Sequence, residues 1–455
     1  MGAVGVTIVS FRGFFYNSNN KSGQFMPIEY VSYSRQAIKS EVCSFSIDQW
    51  RVDYLAFSTP ENAHKPPLLV VGGAFQNFNS YRYCVERIYQ DFPVVLVDLP
   101  SLGNNEQIAP DLGMEDLGDL LFEFVRVGGW PTVHLMGLSL GSAIASTFAY
   151  KYPEHTGKLI VAGIVVRPRK SWRMLVEESA RILGEGRMDE FSQAVVLYLV
   201  NYQRIKETGL TPTARKLFYR QMRDLNANER ERYVINGRRL SSVEGLLGYP
   251  ECETLVTTGE FDSFTLPWEN AAFAKECPNG RFVLIEKADH LPQLEQREVS
   301  LELFSSFLNG RPLEKVDGIR QLPKASLAKM ERRRSPRLKP LNPHGRLIAE
   351  SPVDKRYRLD RDVQVVDISF FGCLLKVDKP GFPVAEHARD CMLVLQTPEL
   401  RLELLIFDYD EDGHLRCLFK HGNIKQAEDF VQQLQDASLF VQPPKGKLHQ
   451  LAGQG

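Results

Sequence analysis

The chain has no apolar run long enough to cross a bilayer, no C-x-x-C pair and no excess of charge of one sign. The first lack argues against a transmembrane segment. The seven cysteines are odd in number and scattered, which argues against a disulfide frame or a zinc site and predicts reduced thiols in a cytoplasmic protein. Lys and Arg total 55 against 56 Asp and Glu, so the overall balance argues neither for nor against nucleic acid or membrane and any basic site must be local; no nucleic acid partner is expected. The apolar stretch from Ala3 to Ile8 is too short to span a membrane and lacks the preceding positive region of a signal peptide.

What is present is ordinary globular composition, 43% apolar and 24% charged over 455 residues, enough for two or three domains with separate cores. Residues 1–40 read as an N-terminal extension expected to be disordered, with Asn17, Asn19, Asn20 and Gly23 in a polar spacer. From residue 41 to 310 strands and helices alternate. Val42 to Ile47 and Val52 to Ser58 read as a hairpin. Leu68 to Val71, Val94 to Val97, Thr132 to Met136, Leu159 to Val166, Glu253 to Thr258 and Arg281 to Ile285 are short apolar runs of the kind buried on both faces of a parallel sheet. Helical stretches separate them, at about 81–90, 114–127, 267–277 and 298–308. The alternation predicts a doubly wound α/β sheet, whose ligands sit at the carboxyl ends of the strands. From about 170 to 247 helical periodicity takes over, as expected of a helical cap inserted over those ends. The cap region is rich in arginine (Arg169, Arg181, Arg215, Arg220, Arg223 and Arg239 among others), either a solvated face balanced by Glu or a basic surface for an acidic carrier.

The stretch Gly137-Leu138-Ser139-Leu140-Gly141 lies between an apolar strand and a helix rich in small residues. In that setting G-x-S-x-G describes a serine on a strained strand-to-helix turn, its hydroxyl presented above the sheet at a helix N-terminus. Asp262 and His290 follow later predicted strands. Ser139 needs a base, His290 can supply one near neutral pH, and Asp262 can fix its tautomer. The amides of Leu140 and of Ala74, after the Gly72-Gly73 turn, are the candidate oxyanion donors. Asp289, next to His290 in sequence, is a rival acid. Asp98 and His134 read as structural, His155 as exposed, and Phe75 and Tyr81 as pocket wall. No metal is called for.

The order Ser139, Asp262, His290 resembles the α/β-hydrolase family over about residues 40–310. Within it, Val71-Gly72-Gly73-Ala74-Phe75, Phe92 to Pro100 and Gly259-Glu260-Phe261-Asp262 are similar to the acyltransferases that build the lipid part of rhamnolipids. That resemblance implies acyl-serine chemistry without a cofactor on 3-hydroxyacyl thioesters of acyl carrier protein.

Residues 311–330 read as a polar linker and 437–455 as a tail. Between them, Arg333 and Arg337 in R-x-x-x-R are followed by Asp367, Ser369 and Gly372 in D-x-S-x-x-G. Alternating stretches at 363–366, 373–377, 392–396, 400–407 and 415–420 predict a small antiparallel β-barrel, with a flanking helix at 425–434. Arginine forks match phosphate oxygens and the guanine edge in one plane. The pairing resembles the PilZ family over about 331–436. This implies cyclic di-GMP as a regulatory ligand held by Arg333, Arg337, Asp367 and Ser369, with Gly372 in a tight turn and Arg332 beside a second nucleotide. The combined expectation is a bacterial, cyclic di-GMP-regulated serine hydrolase or acyltransferase of esters or thioesters. The alternative is a non-catalytic effector that uses the hydrolase fold to bind a partner.

Overall fold

The computed structural model describes residues 28–39, 42–333, 335–350, 358–378, 391–396 and 399–441. The expectations for residues 1–27 and for the tail beyond 441 lie outside them. A nine-stranded sheet carries the first part. Its strands are β1 (Cys43–Ile47), β2 (Trp50–Phe57), β3 (Leu68–Val71), β4 (Val94–Asp98), β5 (Val133–Leu138), β6 (Thr156–Ala162), β7 (Glu253–Gly259), β8 (Gly280–Ile285) and β9 (Ile319–Leu322), in the order β1-β2-β4-β3-β5-β6-β7-β8-β9. The six strands from β4 across to β8 run parallel, while β1, β2 and β9 add antiparallel edges. Every residue of β3 and β4 is buried, because apolar layers cover both faces. The helices α1 (Arg82–Ile88), α2 (Met114–Val127), α3 (Leu140–Lys151), α8 (Pro267–Glu276) and α10 (Arg297–Leu308) form these layers. After β3 the chain moves to β4 on one side, then returns to β5 on the other. That reversal opens a crevice at the strand ends, where a ligand site is expected.

Four helices interrupt the sheet between β6 and β7: α4 (Lys170–Gly184), α5 (Met188–Leu199), α6 (Pro212–Arg223) and α7 (Ala227–Ser242). A short α9 (Pro292–Glu295) follows β8. The second part is a closed antiparallel barrel ordered β11-β12-β13-β16-β15-β14. Its strands are β11 (His344–Glu350), β12 (Arg358–Ser369), β13 (Gly372–Lys376), β14 (Cys391–Gln396), β15 (Glu399–Tyr409) and β16 (His414–Phe419). A short ribbon, β10 (Lys339–Pro340) with β17 (Phe440–Val441), and the amphipathic helix α11 (Ile424–Leu434) close its end.

Several boundaries differ from the sequence reading. Residues 28–39, expected as part of a disordered extension, belong to the fold: Val31 bridges to Phe57, Ile38 is buried, and Tyr33 packs on Phe57 and Tyr89. The 311–330 linker supplies an edge strand and buries Leu313 and Leu327, and Lys324 Nζ donates to the Cys277 carbonyl at 2.7 Å. Its few apolar residues are spaced too widely to mark a strand. β6 ends at Ala162, short of Val166, because Gly163 turns to φ +73° and the Ile164 amide leaves the sheet for the Asn270 side chain. β11 escaped notice since its inward positions include Gly345 and Ala349, which weaken the alternation.

Candidate active site

Ser139 ends the turn from β5 into α3 with φ 51° and ψ −115°, a region that a side chain occupies only under constraint. The constraint is visible. The Ser139 amide donates to the Ala162 carbonyl at 2.8 Å, and Ser142 Oγ donates to the Gly137 carbonyl at 2.8 Å. The two glycines are there for closeness: a Cβ on Gly137 would lie 2.4 Å from the Gly141 carbonyl oxygen, and one on Gly141 would lie 2.1 Å from that of Val71.

His290 follows β8, and its Nε2 lies 3.3 Å from Ser139 Oγ. Its Nδ1 lies 3.0 Å from Asp262 Oδ2. A carboxylate there accepts a hydrogen bond from Nδ1–H, which keeps the proton on Nδ1 and leaves the Nε2 lone pair facing the serine hydroxyl. Asp262 is 3% exposed. Burial alone would raise its pKa, but His290 together with the hydroxyls of Thr258 and Thr265 holds it below the ordinary value. The amides of Phe264 and Thr265, each at 2.8 Å, fill the other oxygen. The sequence thus named three groups that the fold brings into one line.

Asp289, the rival acid, turns away. Its Oδ1 accepts from the His290 amide at 2.8 Å and from the Ser263 amide at 3.3 Å, so it braces the loop backbone. Burial, then the charges of Asp262 and Glu295, push its pKa well up. Glu295, which sequence reasoning missed, accepts from the Asp289 amide and is raised to about 7 by burial above all. Its position on α9 gave no signal. Gln76 was missed too. Its Oε1 accepts from the Gly73 amide at 2.7 Å and from the Tyr81 hydroxyl at 3.2 Å, which holds the Gly73-Ala74 turn beside the nucleophile. Ala74 and Leu140 both border the space above Ser139, Leu140 as the first residue of α3, where helix amides lack intrahelical partners.

The other candidates are structural. His134 Nδ1 accepts the Lys158 amide at 3.0 Å, and burial lowers its pKa to about 4. Burial also raises Asp98 to about 7, and that side chain accepts the Asn104 amide at 2.6 Å. His155 is exposed. Phe75 and Tyr81 line the cavity.

The cavity above Ser139 measures about 650 Å³, within the roughly 300–1,000 Å³ common for small-ligand sites. Its roof is the four-helix insertion, with Phe75, Trp172, Ile182, Phe191, Leu199 and Phe264 in the walls. Lys420, His421 and Gly422, just past β16, also border it, so the barrel closes part of the wall. Several cap arginines have inward partners. Arg169 pairs with Glu269 at 2.8 Å, Arg181 with Glu178 at 2.7 Å, and Arg239 Nε donates to the Leu112 carbonyl at 2.7 Å.

On the barrel, Arg337 Nη1 meets Asp367 Oδ2 at 3.1 Å, which brings together the two halves of the arginine and aspartate motifs. Ser369 Oγ donates to the Gly372 carbonyl at 3.0 Å within the β12–β13 turn. Gly372 is needed by strand pairing, since a Cβ there would lie 2.1 Å from the Cys417 carbonyl oxygen. Arg332 lies over the Trp268 ring at 5.2 Å, and the Arg333 amide donates to Glu331 at 3.0 Å.

A family model described as alpha/beta hydrolase fold matches residues 66–296. The chain is 23% identical over 242 residues to a 2-hydroxy-6-oxononadienedioate/2-hydroxy-6-oxononatrienedioate hydrolase of Comamonas testosteroni, covering 50% of this chain and 82% of that one. It is 28% identical over 122 residues to a poly(3-hydroxyalkanoate) depolymerase of Ectopseudomonas oleovorans, covering 25% of this chain and 43% of the depolymerase. Among solved structures, a thermophilic esterase from Thermogutta terrifontis superposes with a TM-score of 0.50 at 23% identity, over 60% of this chain and 99% of the esterase.

Proposed function

This chain belongs to the alpha/beta hydrolase family, and on that premise we propose that it cleaves acyl esters or thioesters through an acyl-serine. The observation that carries the reading is the Ser139–His290–Asp262 line beneath an apolar cavity. Ser139 Oγ attacks the acyl carbonyl while His290 Nε2 takes its proton. The amides of Ala74 and Leu140 receive the oxyanion, and the His290 proton passes to the departing alcohol or thiol. Water, or a hydroxyl of a second acyl chain, then attacks the acyl-serine. His290 takes that nucleophile's proton and returns it to Ser139 as the ester bond breaks. An apolar cavity suits an aliphatic acyl chain, and likeness to a 3-hydroxyalkanoate depolymerase supports a 3-hydroxyacyl one. Carrier-protein docking through the cap has less support, because Arg169, Arg181 and Arg239 are engaged inward.

A fluorophosphonate probe should label the wild type and not Ser139→Ala, and Asp262→Asn should lose roughly 10⁴-fold in kcat while staying folded. Full turnover by Ser139→Ala on p-nitrophenyl esters would refute the assignment.

The barrel is proposed as a sensor of cyclic di-GMP. Support comes from its closed antiparallel form and from Arg337 against the buried Asp367, at the place where a guanine edge and a phosphate could displace the ion pair. Titration calorimetry should give tight binding by the wild type. Arg337→Ala and Asp367→Ala should each weaken it by at least about tenfold, as loss of a charged hydrogen bond requires. Unchanged binding in both variants would dismiss the nucleotide site.

A further inference from the structure

The C-terminal end of α5 and the residues just past it touch both the catalytic loop and the barrel. On one side, Asn201 Nδ2 donates to the Phe261 carbonyl at 3.1 Å, and the Tyr198 carbonyl accepts from Ser263 Oγ at 3.3 Å. Phe261 and Ser263 flank Asp262, so the acid of the triad is tethered before and after by this one segment. On the other side, the Tyr198 hydroxyl donates to the Phe419 carbonyl at the end of β16. Its ring lies 6.2 Å from that of Phe371 and 6.0 Å from the His421 imidazole. His421 stacks on Phe370 at 4.3 Å, and its Nε2 donates to the Phe370 carbonyl at 2.6 Å. Burial lowers its pKa to about 4, so near neutral pH the ring is uncharged and the carbonyl contact fixes its tautomer. Phe370 and Phe371 form the β12–β13 turn, directly after Ser369 and close to the Asp367–Arg337 pair.

We infer that Tyr198 and Asn201 are positioning residues for Asp262, and that the barrel holds them in place, so that the second domain is a structural part of the active site. This rests on Asp262 as the acid of the triad. The contacts make a continuous packed path from the barrel's Asp367–Ser369 strand end to the imidazole: Phe370 and Phe371, His421, Tyr198, then the loop that carries Asp262. Each link is buried: Phe371 is 5% exposed, Tyr198 8%, Asn201 4% and Ser263 1%. Side chains packed this closely move together or not at all. A shift of the β12–β13 turn therefore reaches Asp262 through packed side chains, of which His421 and Tyr198 also form part of the acyl cavity wall. For the barrel to regulate the enzyme, its ligand need only favour one arrangement of this turn.

The test uses the full chain. Tyr198→Phe removes only the hydroxyl that reaches Phe419, Asn201→Leu removes the donor to Phe261, and Phe371→Ala loosens the path from the barrel side. Lys170→Ala cuts an exposed cap–barrel pair with Asp408 (3.7 Å) that lies off the path. For the first three, kcat on a p-nitrophenyl ester and the rate of Ser139 labelling should fall together by between about 10- and 100-fold with KM held within about twofold, as misplacement of a catalytic group requires. Lys170→Ala should match the wild type. Wild-type kcat and labelling in folded Tyr198→Phe and Asn201→Leu would overturn the inference, as would equal losses in Lys170→Ala, which would mark general loosening. A wild type that neither labels nor turns over would instead defeat the hydrolase reading, and this inference with it.

Discussion

Burial pulls three neighbouring carboxyl groups in one direction, and their hydrogen bonds decide which of them stays charged. Asp262 receives two hydroxyls, two amides and an imidazole, and remains an anion. Asp289 receives two backbone amides and Glu295 one, too few to offset burial and the Asp262 charge, so both are raised. One Asp289 oxygen and one Glu295 oxygen have no hydrogen-bond partner among the described residues, which fits protonated acids beside the charged one. The sign of the pH effect follows. Glu295 titrates near 7 when folded and near its ordinary 4.5 when unfolded. The folded chain thus holds the extra proton between those values, and this contribution to stability is lost as pH rises through them. Glu295→Gln has no such proton, so its melting temperature should gain on that of the wild type from pH 4.5 to 7. Parallel melting curves for the two proteins over that range would contradict this.

At the scale of elements, the β5–α3 turn depends on close backbone approach. Ala is a better helix former than Gly by about 1 kcal/mol, and Gly141 lies in the first turn of α3, so propensity favours Gly141→Ala. Overpacking opposes it. The new methyl would stand 2.1 Å from a main-chain oxygen of β3, which a side-chain rotamer change cannot relieve. A cost of about 3 kcal/mol, the upper end for overpacked sites, outweighs the gain. Urea denaturation should show a net loss of about 2 kcal/mol. Hydrolysis should fall as well, because the strained carbonyl immediately precedes the Gly72-Gly73-Ala74 turn. A variant as stable as the wild type would show that β3 can move aside.

Across the whole molecule, the insertion and the barrel share one apolar core. Val196, Leu197, Tyr198, Val200 and Tyr202 pack in the same cluster as Leu347, Leu375, Phe370 and Phe430. Within this junction Lys420 and Glu178 pair at 3.2 Å, 9% and 7% exposed. Removal of one member of a buried pair leaves a charge with less compensation, at a cost of about 3 kcal/mol or more. Glu178→Gln should lower the melting temperature of the full chain, and calorimetry should show cap and barrel still unfolding in one transition. Early, separate melting of the barrel in the wild type would mean that the junction is weaker than its burial suggests. Among the described residues no helix is long and apolar enough to cross a membrane.

The sheet strands, the flanking helices and the serine, aspartate and histidine were legible in the sequence because each rests on local pattern. Apolar runs in β3 and β4 can only be buried on both faces, and Gly-x-Ser-x-Gly between a strand and a helix admits few backbones. Five of the six barrel strands announced themselves by alternation, and β11 did not, since Gly345 and Ala349 carry too little hydrophobic signal. Glu295, Gln76, Tyr198 and Asn201 were invisible for a different reason. Each acts through a single directed contact with a residue that the fold alone brings near, such as Asn201 with Phe261, sixty residues away (|i−j| = 60). Periodicity reports which face of an element is buried and is silent on what that face meets. Only the tertiary structure decided that the face of α5 would meet the barrel, and so that the two halves of the chain would share the wall of one cavity.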